Sequence, residues 1–369
     1  MTDSQLYIGL ISGTSVDGVD CALVDFAGEQ PTLLATHGHS IPASLRSEIL
    51  RLCEGEGISL SDLGSTNIQI GKLFAEAANA LLRKAGLEGS AINAIGSHGQ
   101  TVWHEPDGDN PFTLQLGDGN TIAQLTGITT VADLRGRDMT VGGQGAPLAP
   151  LLHRAVFHDE LVDRAVINIG GFGNITALPG NGSFVAFDTG PGNVLMDYWI
   201  EKHLGKNYDA NGEWAASGTL NLTLLNTLLD EPYFSKPLPK STGRELFNGN
   251  WLEAKLSACK AQPSAEDVQA TLLNLTATTI VSALNQFYSP QEIYVCGGGA
   301  HNTLLMEELD KLAGETAVVS TANLGIDPDW VEAMAFAWMA KESMAGRKID
   351  TSAFTGASES VYLGAIYRS

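Results

Sequence analysis

Basic residues are scarce in this sequence, which has 21 lysines and arginines against 42 aspartates and glutamates and a formal net charge of −21. No run of lysine or arginine forms a basic stripe. Nucleic acids and anionic membrane surfaces are therefore poor partners for this chain. A nucleotide is also an anion, so a nucleotide site would need backbone N–H groups and a metal ion to overcome the overall charge.

Cysteines and long apolar segments are also few. The four cysteines, Cys21, Cys53, Cys259 and Cys296, are far apart, which argues against a zinc site and against a dense disulfide framework. No stretch of about 20 apolar residues occurs, and no basic segment followed by an apolar core stands at the N-terminus. We therefore expect reduced thiols and a cytoplasmic protein that does not bind membranes.

The length of 369 residues, with 41 glycines, exceeds what one ordinary core holds. At roughly 150 residues per domain, two lobes with a cleft are expected. Strand-like runs with glycine-rich ends alternate with helical patterns, which predicts an α/β fold. The predicted strands are residues 6–12, 19–26, 92–97, 165–169, 293–296 and 317–320, and the strongest helical patterns are residues 67–84 and the segment after the capping residue Ser264.

A turn rich in glycine, hydroxyl and carboxylate groups joins the first two predicted strands. Its glycines permit positive φ and close backbone approach, and its two aspartates could hold a hydrated divalent cation. Such a turn can bind the phosphates of a nucleotide, although a β-hairpin with a polar turn has the same pattern. The turn comprises Gly13, Thr14, Ser15, Val16, Asp17, Gly18, Val19 and Asp20.

Residues 165–178 repeat this design of apolar strand, glycine-rich turn and apolar strand. The predicted strand at 293–296 ends in three glycines, where a base could lie against bare backbone, and a helix-capping asparagine follows. Two phosphate hairpins followed by an adenosine turn resemble the layout of the actin-like ATPase superfamily from end to end. The residues predicted to contact the nucleotide in these two elements are Gly170, Gly171, Asn174, Gly297, Gly298, Gly299 and Asn302.

Four motifs make the resemblance narrower. SGTSVDGVD at 12–20, SHGQTVWH at 97–104, GGQGAPL at 142–148 and DTGPGN at 188–193 are together similar to the anhydro-N-acetylmuramic acid kinase family. The resemblance implies a two-lobe actin-like ATPase (ribonuclease H-like) fold with a central ligand cleft, and a homodimer. It also implies that ATP and Mg²⁺ are used while water opens the 1,6-anhydro bridge of the sugar and O6 is phosphorylated, giving N-acetylmuramic acid 6-phosphate for peptidoglycan recycling. Val16 and the Phe172-Gly173 pair depart from the family pattern.

Asp188 is the candidate catalytic base. Gly190, Pro191 and Gly192 prevent a helix until the next residue, so its carboxylate is expected at the exposed end of a strand. The resemblance implies that Asp188 takes a proton from the water attacking C1 while the departing O6 attacks the γ-phosphate. A carboxylate that caps the following helix is the alternative interpretation.

The candidate sugar contacts lie in other motifs. A guanidinium of Arg135 or Arg137 could hold the substrate's lactyl carboxylate with two hydrogen bonds, although a surface ion pair with Asp133 or Asp138 would equally explain either arginine. Glu332, in a helical segment that Pro328 is expected to start, is implied to lie near the sugar, or it only favours the positive end of the helix dipole. The resemblance adds Thr14, His98, Gln100 and Thr101.

These patterns predict a first lobe of residues 1–133 plus 347–369 and a second lobe of residues 134–346. No histidine pair has metal-ligand spacing, so we predict no structural zinc. Mg²⁺ would arrive with ATP and bind Asp17 or Asp20 mostly through water, and Asp188 could also contribute. One alternative function is a kinase for levoglucosan, an anhydrosugar without lactyl or acetamido groups. Another is an actin-like binding or filament protein that hydrolyses ATP slowly.

Overall fold

The computed structural model describes residues 5–13, 16–55, 57–237, 240–260 and 262–369. It divides into two compact units. The first comprises Met1–Val156 and Trp330–Ser369, and the second comprises Phe157–Asp329. Each unit has its own mixed β-sheet flanked by helices, so the predicted α/β class is confirmed.

The described part of the first unit contains a seven-stranded sheet in the order β12-β6-β4-β1-β2-β3, with β5 paired to β4. β1, β2 and β3 form an antiparallel meander, whereas β4 runs parallel to β1 and β6 runs parallel to β4. The strands are β1 (Leu6–Ser12), β2 (Gly18–Asp25), β3 (Thr32–Ser40), β4 (Ala94–Glu105), β5 (Phe112–Leu116), β6 (Thr130–Ala132) and β12 (Ala365–Tyr367).

The described part of the second unit contains a five-stranded sheet in the order β11-β10-β7-β8-β9. β7, β8 and β9 form an antiparallel meander, and β10 and β11 add parallel strands on the other side of β7. This order matches β6-β4-β1-β2-β3 of the first unit, so the repeat seen in the sequence is a repeat of topology. The strands are β7 (Arg164–Ile169), β8 (Phe172–Leu178), β9 (Val185–Pro191), β10 (Glu292–Cys296) and β11 (Ala317–Ser320).

The helices agree with the predicted patterns, with differences at their ends. The pattern at 67–84 lies inside α2, which starts earlier at a complete capping box formed by Ser59 and Asp62. Ser264 caps α10 as predicted, by accepting a hydrogen bond from the Asp267 N–H at 3.2 Å. Pro328 precedes α12 rather than starting it, because the helix begins at Val331. The α-helices are α1 (Ala43–Glu54), α2 (Leu60–Ala85), α3 (Gly119–Thr126), α4 (Gly136–Met139), α5 (Ala149–Phe157), α6 (Val194–Leu204), α7 (Glu213–Ser217), α8 (Leu222–Leu229), α9 (Gly249–Ala258), α10 (Ala265–Phe287), α11 (Thr303–Ala313), α12 (Val331–Met344) and α13 (Ser352–Thr355), and the 3₁₀ segments are Gly89–Ala91, Ala210–Gly212, Pro232–Ser235, Gly298–His301 and Thr321–Leu324.

The packing of α12 corrects the predicted unit boundaries. A Cβ atom at Gly9 of β1 would lie 1.7 Å from the carbonyl oxygen of Ala333, and one at Gly96 of β4 would lie 2.0 Å from that of Phe336. The helix therefore lies directly on the first sheet. Residues 134–156 and 330–346, predicted for the second lobe, belong to the first unit. The sequence pattern missed this because glycines far from α12 in the chain make the contact.

Each unit has a separate hydrophobic core. In the first, strands β1, β2 and β4 pack against α2, and in the second, β7 and β8 pack against α10. Cys21, Cys259 and Cys296 are buried and Cys53 is exposed, and no disulfide joins any of the four. Within the described residues, no helix is both long enough and apolar enough to cross a membrane.

Candidate active site

The first glycine-rich turn connects β1 to β2, as predicted. The Val16 N–H donates to the Gly13 carbonyl at 3.2 Å, and Val16 has a positive φ of 54° although it is β-branched. Such strain is concentrated at functional turns. Gly13, Asp17 and Asp20 are exposed, whereas Val16 and Val19 are buried and Gly18 is half-buried. Thr14 and Ser15 lie outside the described residues, so their predicted contacts stay predictions.

His98 orients the guanidinium of Arg135. The His98 Nδ1 lies 2.9 Å from the Gly99 carbonyl oxygen, which can only accept, so Nδ1 carries the proton. Nε2 then accepts from Arg135 Nε at 3.0 Å and from Nη2 at 2.8 Å. Burial, followed by the charge of Arg135, lowers the pKa of His98 well below its ordinary value. Burial lowers the pKa of Arg135 to about 10, so the arginine stays charged at neutral pH.

Glu332 lies in the first turn of α12, and part of its side chain is exposed to solvent although protein atoms surround its carboxyl group. Desolvation by dense protein around it raises its pKa, the charge of Asp20 raises it further, and the charge of Arg135 lowers it. These three charged groups are therefore coupled electrostatically within the first unit. Arg137 is exposed. Among the described residues, neither Arg135 nor Arg137 forms a close ion pair with a carboxylate. Burial raises the pKa of Asp133, and the hydrogen bond from the Gly136 N–H and the charge of Arg137 lower it, so an electrostatic interaction with Asp133 remains for Arg137 but not a direct contact.

The GGQGAPL motif is fastened by a buried carboxylate. Asp138 is fully buried and accepts hydrogen bonds from the Gly145 N–H at 2.7 Å and from the hydroxyls of Thr351 and Thr355. A Cβ atom at Gly143 would lie 2.2 Å from the Asp138 carboxylate, so glycine is required there. The carboxylate predicted as a possible ion-pair partner for the arginines instead anchors the loop that follows them.

Gln100 connects β4 to the first glycine-rich turn. Its Oε1 accepts from the Ser12 hydroxyl at 2.6 Å, and its Nε2 donates to the Gly13 carbonyl at 3.3 Å. Both ends of the amide are thus engaged within the protein. The Thr101 hydroxyl accepts from the Gln115 amide at 3.2 Å. A polar cavity of about 290 Å³ lies beside this strand, lined in part by Ser97, His98 and Asp133.

Asp188 lies inside β9 rather than at the exposed end of a strand, and it is half-buried. It stands opposite Asn174 of the second predicted phosphate hairpin, where a register shift makes a β-bulge. The segment after residue 239 continues the pairing: the Asp188 N–H donates to the Lys240 carbonyl at 2.8 Å, and Asp188 Oδ2 accepts from the Thr242 N–H at 3.1 Å. The Tyr233 hydroxyl donates to the Asp188 carbonyl at 2.8 Å.

The surroundings of Asp188 suit a base. Burial raises its pKa to about 6, with a further contribution from the charge of Glu245, and the hydrogen bond from Thr242 opposes the rise. A carboxyl group with this pKa is mostly ionised at neutral pH and is a better proton acceptor than an ordinary aspartate. Asn193, not Asp188, occupies the N-cap position of α6. The helix-capping alternative for Asp188 is therefore wrong.

The second glycine hairpin, between β7 and β8, lies against the start of α6. The Gly192 and Asn193 N–H groups donate to the carbonyls of Gly171 and Gly170, each at 2.9 Å. A Cβ atom at Gly192 would lie 2.5 Å from the Gly170 carbonyl oxygen, so only glycine allows this approach. The hairpin and the N-terminus of an 11-residue helix thus form one continuous surface.

A cavity of about 370 Å³ opens next to this surface in the second unit. Of the three glycines predicted to face a base, only Gly298 lines it. A Cβ atom at Gly297 or Gly299 would lie 2.4 Å from the side chain of Asn168 or Ile169, so these two glycines are needed for packing against β7. Its lining residues are Asn193, Met196, Asp197, Tyr208, Asp209, Asn211, Gly298, His301 and Asn302.

Asn302 caps α11 as predicted, by accepting from the Leu305 N–H at 3.1 Å. The sequence analysis missed the walls that α6 and residues 208–211 contribute to this cavity. These segments contain no glycine-rich motif, and the polar and apolar residues of α6 do not separate clearly into two faces of the helix. The one available signal was Asp197, an acidic residue among the apolar residues that follow DTGPGN.

The chain is similar to known proteins over almost its full length. The chain is 48% identical over 366 residues to the anhydro-N-acetylmuramic acid kinase of Saccharophagus degradans, covering 98% of this chain and 99% of that protein. It is 48% identical over 369 residues to the enzyme of the same name from Vibrio cholerae, covering 100% and 99%. Component A of the (R)-2-hydroxyglutaryl-CoA dehydratase of Acidaminococcus fermentans has a similar fold, with a TM-score of 0.52 and 13% identity over 92% of this chain and 99% of that chain. The family model described as anhydro-N-acetylmuramic acid kinase matches residues 5–369, and the chain belongs to that family.

Proposed function

We infer that this chain is an ATP-dependent kinase that opens the anhydro ring of 1,6-anhydro-N-acetylmuramic acid with water and phosphorylates O6. The product is N-acetylmuramic acid 6-phosphate, an intermediate of peptidoglycan recycling. Family membership over nearly the whole chain supports the activity. The observation that carries the mechanism is Asp188, a carboxyl group with a pKa of about 6 placed opposite Asn174 of a glycine-rich hairpin.

The proposed chemistry needs a single carboxylate for ring opening and phosphoryl transfer together. Asp188 accepts a proton from the water whose oxygen forms a bond to C1, and the C1–O6 bond breaks. The electron pair stays on O6, which forms the new bond to the γ-phosphorus while the bond to the ADP oxygen breaks. Because ring opening itself supplies the alkoxide, no second base is needed to deprotonate O6. The Thr242 N–H holds the Asp188 carboxylate in position.

We propose that the first unit binds the sugar. Arg135 is the stronger candidate for the lactyl carboxylate, because His98 fixes its orientation and it remains charged. Arg137 is a second candidate; it is exposed, and no side-chain hydrogen bond among the described residues orients its guanidinium. Glu332 would accept hydrogen bonds from sugar hydroxyls. Gln100 acts through the phosphate turn that it holds.

We propose that the nucleotide phosphates bind the two glycine-rich turns and that adenosine enters the cavity of about 370 Å³. Mg²⁺ fits the exposed carboxylates of Asp17 and Asp20, because it keeps several waters and takes few protein ligands. Within the described residues, no group of three or more acidic, histidine or cysteine side chains could hold a metal ion, so water and phosphate would complete the shell. The ion would neutralise charge on the phosphates.

A cytoplasmic location and a homodimeric state are part of the same proposal. They are supported by the resemblance of the four sequence motifs to the family and by the scarcity of basic and long apolar segments in the sequence. Sedimentation of the purified protein over a range of concentrations tests the dimer. A monomer throughout would contradict it.

The decisive experiment compares 1,6-anhydro-N-acetylmuramic acid with levoglucosan as substrates with ATP. We expect turnover of the muramyl sugar and little of levoglucosan, which lacks the carboxylate that Arg135 would bind. Asp188→Asn should abolish turnover and leave ATP binding measurable. Near-normal turnover in that variant would remove Asp188 as the base. ADP release without any sugar would favour the slow actin-like ATPase instead.

A matched pair of variants tests the carboxylate site. Arg135→Ala should raise the KM for the muramyl sugar, and the defect should shrink with an anhydrosugar that carries the acetamido but not the lactyl group. Arg137→Ala should have the smaller effect. An unchanged KM in the Arg135 variant would exclude that residue from the sugar site.

A further inference from the structure

The cavity of the second unit has one wall made by a single face of α6. Asn193, Met196 and Asp197 all line it, and their spacing of three and four residues places them on the same side of the helix. Asn193 is the N-cap residue, bonded to the glycine hairpin at Gly170. The cavity therefore begins at the residue that joins the helix to the hairpin, and it extends along the first turn of the helix.

Two carboxyl groups line the cavity, and their surroundings differ. Asp209 accepts from the Trp214 and Ala215 N–H groups, each at 2.9 Å, and from the Gln269 amide at 3.3 Å. These bonds satisfy Asp209 and give it a structural role at the start of α7. The Asp197 carboxyl, in contrast, has no hydrogen-bond partner among the residues that the structure describes. Asp197 is thus the acidic group of this cavity that remains available to a ligand.

The surroundings also set the charge of Asp197. Burial raises its pKa to about 7; the charge of Arg244 opposes this, and the charges of Asp209 and Glu201 add to it. Hydroxyl groups of a ligand that donate hydrogen bonds to this carboxyl group would stabilise its ionised form. The group is therefore poised for a ligand that carries donors, and it would repel an anion.

The position of Asp197 along α6 indicates which part of a nucleotide it meets. A helix N-terminus favours phosphate, and Asn193 joins that N-terminus to the hairpin. Asp197 lies one turn further, about 6 Å along the helix axis. In a nucleotide the ribose lies between the phosphates and the base. A contact one helical turn beyond the phosphate end therefore falls on the ribose.

We propose that Asp197 binds the ribose hydroxyls of the nucleotide and determines the preference of this enzyme for ribonucleotides. The two carboxylate oxygens can accept from both vicinal hydroxyls. The base would then lie further along the cavity, toward Tyr208 and His301. This inference rests on the proposed kinase function and on the placement of adenosine in this cavity.

The test measures the binding of ADP, 2′-deoxy-ADP, 3′-deoxy-ADP and GDP by calorimetry to the full-length protein. The wild-type protein should bind ADP about tenfold or more tightly than either deoxy analogue. Asp197→Ala should lose about the same factor for ADP and should bind the deoxy analogues no worse than the wild type does. Asp197→Asn keeps one acceptor oxygen and the side-chain shape, so its loss should be intermediate.

Glu201→Gln is the matched control, because it removes one negative charge from an exposed position on the same helix. It should keep the wild-type preference for ADP over the deoxy analogues. A wild-type protein that binds deoxy-ADP as well as ADP would overturn the proposal, as would Asp197 variants that retain the preference. Variants that alter only the choice between ADP and GDP would place the carboxyl at the base and overturn it too. A wild-type protein that binds no ADP would instead contradict the proposed kinase function.

Discussion

Replacing the candidate base, Asp188, with asparagine should stabilise the second unit while it abolishes activity. The side chain is half-buried, and its pKa is about 6 in the folded protein against an ordinary value of 3.8. Because the folded pKa is raised, the stability that comes with protonation is fully present below about pH 4 and is lost as the pH rises through about 6. The ionised carboxylate therefore destabilises the fold at pH 8 by about 3 kcal/mol.

Asparagine removes this cost because it carries no charge. Its carbonyl oxygen can still accept from the Thr242 N–H, which lies 3.1 Å from the Asp188 carboxylate. We expect the variant to gain about 3 kcal/mol in the free energy of unfolding at pH 8 and about half of that at pH 5, where the wild-type carboxyl is mostly protonated in the folded state.

Urea unfolding of the wild-type and variant proteins at the two pH values measures this difference. Asp310→Asn, at an exposed position of α11, is the control and should change the free energy of unfolding little at either pH. A variant that is no more stable than the wild type at pH 8 would refute the reasoning. An equal gain at both pH values would show that the stabilisation does not come from the charge of Asp188.

Three further predictions concern the base, the packing of α12 and the loop anchor. The kcat/KM for the sugar, measured at saturating nucleotide, should fall about tenfold from pH 7 to pH 5 because Asp188 becomes protonated, and a flat profile would contradict this. Gly9→Ala places a Cβ atom 1.7 Å from a backbone oxygen of α12 and should lower the thermal midpoint sharply, whereas Gly38→Ala, with open space around it, should not. Asp138→Ala leaves the Gly145 N–H and the buried Thr351 hydroxyl without an acceptor, whereas the Thr355 hydroxyl keeps the Thr351 carbonyl, and the loss should cost about 2–4 kcal/mol in urea unfolding; a loss below about 1 kcal/mol would mean that water replaces the carboxylate.

The elements that the sequence predicted well are those whose signal is local. Apolar runs with glycine-rich ends placed β1, β2, the start of β4, β7, β10 and β11, and the echo between residues 6–25 and 165–178 is a real repeat of topology. The strands β3, β5, β6 and β12 were not predicted. Caps were also predictable, since Ser264 and Asn302 each bond to an N–H three residues later. The family resemblance rested on four such local motifs, and the family model confirmed it.

The predictions that failed depended on contacts between distant parts of the chain. The unit boundaries were wrong because α12 packs on Gly9 and Gly96. Of the three consecutive glycines predicted to face a base, only Gly298 lines the cavity, because Gly297 and Gly299 accommodate the end of β7. The contact between Gly298 and a base stays a prediction. The cavity walls on α6 were missed for the same reason: a polar residue on a helix does not reveal which surface it faces.

Turn conformation, strand and helix periodicity and the types of chemical group available are properties of neighbouring residues, so they were readable along the chain. The protonation state and orientation of the candidate catalytic groups were not, because burial and remote partners set them. His98 and Arg135 are 37 residues apart, and Asp188 and Thr242 are 54 apart. Folding brings each pair together in a partly desolvated environment, and desolvation turns an ordinary aspartate into a carboxyl group with a pKa of about 6.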